Sequence, residues 1–111
     1  MDELTALIRT VGAGLDPIGG LVETHKWGQR SFLPKRPRIG TTIRVAAVSA
    51  SSVALYVHCQ TTLVATWRSL FPELSYEGNR ALVMDVAEPL PTAQLHACIE
   101  SALLYHFNKR R

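Results

Sequence analysis

The chain has 111 residues, 47% of them hydrophobic, with a net charge of +3. Such a chain suffices for one domain with its own core and is too short for two. No apolar run approaches the roughly 20 residues that span a bilayer, and the N-terminus begins with Asp2 and Glu3 rather than with a basic, then hydrophobic, leader. We therefore expect a cytoplasmic protein without a membrane partner.

Two helices are predicted at the N-terminus. Asp2 is a suitable N-cap, and apolar residues follow at i, i+3, i+4 and i+7. Asp16 and Pro17 repeat the start signal for a second helix that ends near Gly28. The two apolar stripes are Leu4, Leu7, Ile8 and Val11, then Ile18, Leu21, Val22 and His25.

A β-hairpin is predicted in the middle of the chain. Residues 41–48 and 53–58 are rich in β-branched and apolar side chains that alternate, and residues 49–52 form the turn. A weaker strand is predicted at residues 29–33, followed by a Pro-rich loop. One hairpin face carries Ile43, Val45, Ala47, Val53, Leu55 and Val57; the other carries Thr42, Arg44, Ala46, Ala54, Tyr56 and His58, and looks outward or into a shallow cleft.

The second half of the chain alternates between helix and strand. After His58 the apolar period changes from two to 3.6, which predicts a helix that Pro72 ends. Residues 79–86 form a further strand, and Pro91 leads into a long final helix. This order predicts a two-layer α+β fold, with an antiparallel sheet of four to five strands and helices mainly on one face. The helical stripes are Leu63, Trp67, Leu70 and Phe71, then Leu95, Cys98, Ile99, Ala102, Leu103 and His106.

Six blocks in order resemble the YdhG-like domains of unknown function, over nearly the whole chain. They begin at Trp27, Gly40, His58, Phe71, Tyr76 and Pro89, and read WGQ with SF, GTTIR, HCQTTL, FP, YEGNR and PLP. The resemblance implies a small bacterial α+β fold, similar to secretion-chaperone-like folds, with the order helix, three strands, helix, two strands and helix. One branch of the family is regarded as a frataxin-like intracellular iron chaperone, although the nine acidic residues here are scattered rather than clustered.

A helix-start pocket is the predicted site. A helix that begins near Thr62 exposes free N–H groups that attract a carboxylate or phosphate, and we expect Thr61, Tyr76 and Arg80 to share one cleft there. Alternatively, the threonines only cap the helix, Arg80 pairs with Glu77 or Asp85, and Trp27 fills the core. The predicted ligand-binding residues are Trp27, Arg44, His58, Gln60, Thr61, Thr62, Tyr76, Asn79 and Arg80.

Other chemistry finds little support in the sequence. Cys59 lies beside a helix start, but His58 points to the opposite strand face and is no base for it, and a small buried hydrophobic residue is the better interpretation. Cys59 and Cys98 are expected to be reduced thiols. The histidines lack metal-ligand spacing, so we predict no catalytic residue, no metal and no cofactor.

Three functions follow, in order of preference. The first is a non-enzymatic binding protein for a small anionic metabolite. The second is a homodimeric interaction module that uses the outward sheet face, and the third is an iron-binding protein. Nucleic acid is not expected as a partner, because the basic clusters at residues 35–38 and 109–111 fit a solvated loop and a helix C-terminus.

Overall fold

The computed structural model describes residues 2–26 and 28–109. Within them, helices and strands occupy most of the chain, joined by short turns and one longer loop at residues 35–42. In chain order the elements are α1 (Asp2–Ala13), a 3₁₀ turn (Asp16–Ile18), β1 (Leu21–Lys26), β2 (Gln29–Pro34), β3 (Ile43–Ala47), β4 (Ser52–Tyr56), α2 (Leu63–Leu70), β5 (Ser75–Glu77), β6 (Ala81–Asp85), α3 (Thr92–Leu103) and α4 (Tyr105–Lys109).

The described strands form one six-stranded sheet in the order β1-β2-β3-β4-β6-β5. All neighbouring strands are antiparallel. The predicted α+β class is therefore confirmed, with more strands than the expected four to five. The family resemblance implies three strands before the middle helix, whereas four precede α2 in this chain.

The predicted second helix is wrong. Asp16 and Pro17 do start a helical turn, but it stops at Ile18, because Gly19 and Gly20 have φ angles of +69° and +104° that a continuing helix does not allow. The chain then becomes extended and β1 pairs with β2 over six residues. The weak prediction of a strand at residues 29–33 is confirmed by β2.

The helices of the described chain cover one face of the sheet. Their buried side chains belong to a single apolar cluster with alternate residues of the strands, including Val45, Leu55 and Leu82. Arg9 of α1 also reaches β1, where its Nη2 and Nε donate to the Glu23 carboxylate at 2.9 and 3.0 Å. This guanidinium lowers the pKa of Glu23. The opposite face, which carries the remaining strand residues, is the helix-free face.

The loop at residues 39–41 divides the predicted final helix in two. Thr41 N donates to Ala102 O at 3.0 Å, and Ile39 O accepts bonds from the backbone N–H groups of His106 and Phe107. These contacts replace regular helical bonds around Leu104, so α3 ends at Leu103 and α4 begins at Tyr105. Among residues 2–26 and 28–109, no helix is both long and apolar enough to cross a bilayer.

Candidate functional site

The helix-free face is centred on a cross-strand pair, Arg44 on β3 and Tyr56 on β4. Strand alternation places Ala46, Ala54 and Ala81 on the same face. These alanines are buried although they lie outside the apolar cluster beneath the helices. Larger side chains that flank them, such as Arg44 and Tyr56, therefore stand as walls above a floor of small residues.

Two adjoining concavities open beside this pair. The first has a volume of about 100 Å³ and is lined by Thr41, Thr42, Arg44, Tyr56, Val57 and His58. The second has a volume of about 280 Å³ and is lined by Gln29, Arg44, Tyr56, Val57 and Arg80. Both are below the ~300–1,000 Å³ of most small-molecule pockets. They fit one charged group or a small molecule better than a large cofactor.

Two unpaired guanidinium groups give this region its charge. Arg44 and Arg80 are both exposed. Within residues 2–26 and 28–109, neither guanidinium group forms an ion pair or a hydrogen bond, so the alternative prediction of an Arg80 pair with Glu77 or Asp85 is wrong. A guanidinium presents several N–H donors in a planar fork that matches a carboxylate or phosphate. The site is therefore suited to an anion.

His58 is held at the edge of the first concavity by the turn that follows it. Its Nδ1 accepts a hydrogen bond from Gln60 N at 3.1 Å, and its carbonyl oxygen accepts bonds from both N and Oγ1 of Thr61. The bond from Gln60 leaves Nε2 as the ring nitrogen that can donate to a ligand. Gln60 and Thr61 thus position His58 and line neither concavity.

The predicted helix-start pocket does not form around Thr62. Thr62 is the N-cap of α2 but makes no capping bond with its side chain. Its backbone N–H donates instead to the phenol oxygen of Tyr105 at 3.3 Å, a contact that lowers the pKa of Tyr105. A side chain from α4 therefore occupies the position that we expected a ligand anion to take.

The prediction that Thr61, Tyr76 and Arg80 share one cleft is also wrong. The Tyr76 hydroxyl lies on the helix-covered side, where it donates to the carbonyl oxygens of Trp67 at 3.0 Å and Phe71 at 2.8 Å. Arg80 lines the concavity on the helix-free face. Asn79 is exposed in the turn before β6 and lines neither concavity, and Trp27 lies outside the described residues.

Tyr76→Phe tests this structural assignment. Loss of the hydroxyl leaves two carbonyl oxygens at the end of α2 without that donor, so we expect unfolding to become easier by about 1–2 kcal/mol. Burial raises the pKa of Tyr76 to about 12 from its ordinary 10. A raised pKa means that the hydroxyl stabilises fully below pH 10 and that this contribution is lost as the pH rises toward 12. Urea unfolding of parent and variant from pH 8 to pH 11.5 should show the difference shrinking at the alkaline end; a constant difference would contradict the assignment.

Acidic side chains lie around other concavities. One of them, with a volume of about 440 Å³, is lined by Asp2, Glu3 and Glu88 together with apolar residues. Its charge repels anions, so its size does not make it the anion site.

Among the residues that the structure describes, no three His, Cys, Asp or Glu side chains come together to hold a metal ion. The iron-binding alternative therefore gains no support from their placement.

Five lining residues were not among the predicted ligand-binding residues: Gln29, Thr41, Thr42, Tyr56 and Val57. Tyr56 had a clear signal, since the alternation of the predicted hairpin places it on the outward face with Arg44. No local signal marked Gln29, because it reaches the site only through the pairing of β2 with β3.

Comparisons with protein-family models, curated proteins and solved structures found no match. The resemblance to YdhG-like domains stays a prediction.

Proposed function

We propose that this chain is a non-enzymatic binding protein that recognises the carboxylate or phosphate of a small molecule on its helix-free face. One observation carries the proposal: Arg44 and Arg80, both without an ion pair in the described chain, line one concavity together with Tyr56. Each guanidinium offers the ligand a charge-assisted hydrogen bond. The site replaces the helix start as the anion-binding position.

Neutral groups around the arginines supply selectivity. The Gln29 amide both donates and accepts, while Thr42 and His58 add donors in the adjoining concavity. The Tyr56 ring is a flat wall against which an apolar or aromatic part of the ligand packs. The small volumes imply a compact ligand.

Arg44→Gln tests the proposal. Arg44 lines both concavities, so its loss should weaken anion binding at least tenfold, which corresponds to about 1.4 kcal/mol. Isothermal titration with inorganic phosphate, citrate and benzoate measures the affinity for a compact anion, a polycarboxylate and an aromatic carboxylate. Arg80→Gln should give a similar loss for the best probe.

Arg68→Gln is the matched control. Arg68 is an exposed arginine of α2 whose guanidinium carbon lies 5.6 Å from the centre of the Tyr76 ring, on the helix-covered side. Its replacement removes the same charge from the protein but should leave the affinity unchanged. Equal weakening by all three substitutions would show a nonspecific charge effect, and absence of binding to every probe by the parent would refute the proposal.

A further inference from the structure

The helix-free face has a repeating order of side chains across four strands. One row runs through Arg44 on β3, Tyr56 on β4, Ala81 on β6 and Glu77 on β5. These residues are direct cross-strand partners, so the row is set by the register of the sheet. The next row, two residues further along each strand, consists of Ala46, Ala54, Val83 and Ser75.

The first row is complementary in charge to its own reversal. Reversal places the exposed Arg44 cation against the exposed Glu77 carboxylate. Ala54 and Ala81 are fully buried, so the contacts come from the larger side chains around them, such as Arg44 and Tyr56. A further pair, Ser52 and Asp85, joins a hydroxyl to a carboxylate. Within these rows the reversal therefore joins opposite charges and brings no like charges together.

We propose that a second copy of this chain packs face to face on the helix-free face, about a two-fold axis that runs parallel to the strands between β4 and β6. This operation reverses the order of strands but keeps the position along each strand. It places β3 over β5 and β4 over β6 of the second copy. Arg44 then pairs with Glu77 of the second copy, and Glu77 with Arg44 of the second copy.

The sheet twist is compatible with this arrangement. A two-fold axis along the strands maps a twisted sheet onto one that curves in the same sense, so the gap between the two faces stays even across the four strands. β1 and β2 fall outside the overlap. The footprint of four strands and three rows is about 19 by 17 Å. Such an interface is small, so the dimer should be reversible and dependent on concentration.

The competition between ligand and second copy rests on the proposed function, because Glu77 of the second copy takes the place at Arg44 that the ligand anion would take. Ligand and second copy therefore compete for one face. A bound anion should shift the protein toward monomer, and self-association should withhold the site from weak ligands. The oligomeric state thereby reports whether the site is occupied.

A charge exchange between Arg44 and Glu77 tests the inference. Sedimentation equilibrium of the parent should show a reversible transition from 12.3 kDa to twice that mass. Arg44→Glu alone and Glu77→Arg alone should each raise the dimer dissociation constant at least tenfold, because like charges then meet twice in each dimer. The double variant should recover most of the parent's association, since the pairs form again with their signs exchanged.

Three results would overturn the inference: a parent that stays monomeric up to millimolar concentration, single variants that associate like the parent, or a double variant that fails to recover. Both substituted residues are exposed, so folding should survive, and melting curves of all four proteins check this. Addition of 0.5 M salt should weaken the parent dimer but leave the melting curve nearly unchanged at concentrations where the protein is monomeric.

Phosphate separates this inference from the proposed function. A charge exchange that restores the dimer, with neither phosphate, citrate nor benzoate bound at Arg44, would support the dimer and refute the small-ligand site. Phosphate binding that depends on Arg44, with a parent that never dimerises, would do the reverse. Loss of the parent dimer as phosphate is added, with no such loss on addition of equal ionic strength as sodium chloride, would support both.

Discussion

Trp67→Ala should lower the free energy of unfolding by about 3–5 kcal/mol, since the indole is buried and its loss leaves a large cavity. The Trp67 side chain is only 1% exposed, in the cluster between α2, α3 and the sheet. Its Nε1 donates to Ser101 Oγ at 2.9 Å, and Ser101 donates in turn to Cys98 O at 2.7 Å. The substitution therefore removes both apolar packing and the hydrogen bond that joins α2 to α3.

Two control variants separate these contributions. Trp67→Phe keeps much of the buried volume and loses the bond to Ser101, so its cost should be well below that of alanine. Leu70→Ala changes an apolar residue of the same helix that is 63% exposed and should be nearly neutral. Thermal unfolding should show Trp67→Ala melting roughly 10–25 °C below the parent. A shift of only a few degrees would mean that the cluster around Trp67 is not the core of the domain.

The N-terminal segment shows why periodicity identified some elements and not others. α1 has a buried apolar stripe and acidic residues in its first turn, and both are local signals. The residues of β1 also fit helical spacing, but the left-handed conformations of Gly19 and Gly20 prevent a helix from continuing, and the pairing with β2 then decides the outcome. Val22 was assigned to the apolar face of the predicted helix, but its side chain is 41% exposed and does not belong to a buried face.

The site also contains residues that local sequence patterns predicted and contacts that depend on residues distant in the chain. Arg44, Tyr56 and His58 were placed on one outward face by the alternation of a single hairpin, and all three line the same concavity. The helix-start pocket failed because Tyr105, 43 residues away in the chain, bonds to the N–H of Thr62. No local pattern predicts such a contact.

Tyr76 illustrates the limit set by short strands. β5 has three residues, too few for alternation to show which of them faces the helices. The face on which each β5 side chain lies is fixed by the pairing of β5 with β6, in which Tyr76 lies opposite the buried Leu82. The sequence therefore predicted Tyr76 to be part of a ligand site, whereas its hydroxyl donates hydrogen bonds to carbonyl oxygens at the end of α2.

Gly40→Ala should be as damaging as a large core substitution, because the chain passes Gly40 against the backbone of α3. A Cβ at this position would collide with the Leu103 carbonyl group and lie 2.8 Å from Ala102 O. These are backbone atoms at the end of a packed helix, so no flexible side chain can move aside. We expect a loss of about 3 kcal/mol or more, at the upper end of overpacking effects.

The collision lies between contacts that hold the 39–41 loop to the junction of α3 and α4. If the added Cβ pushed the loop away from α3, the hydrogen bond from Thr41 N to Ala102 O would be strained. The bonds that the backbone N–H groups of α4 donate to Ile39 O would be strained as well. Gly14→Ala is the matched control, since its Cβ would meet only ordinary contacts of 3.6 Å or more. Urea unfolding with hydrogen exchange should show Gly40→Ala destabilised and α4 exchanging first, with Gly14→Ala close to the parent. Equal stability of the two variants would mean that the loop does not pack against α3 as described.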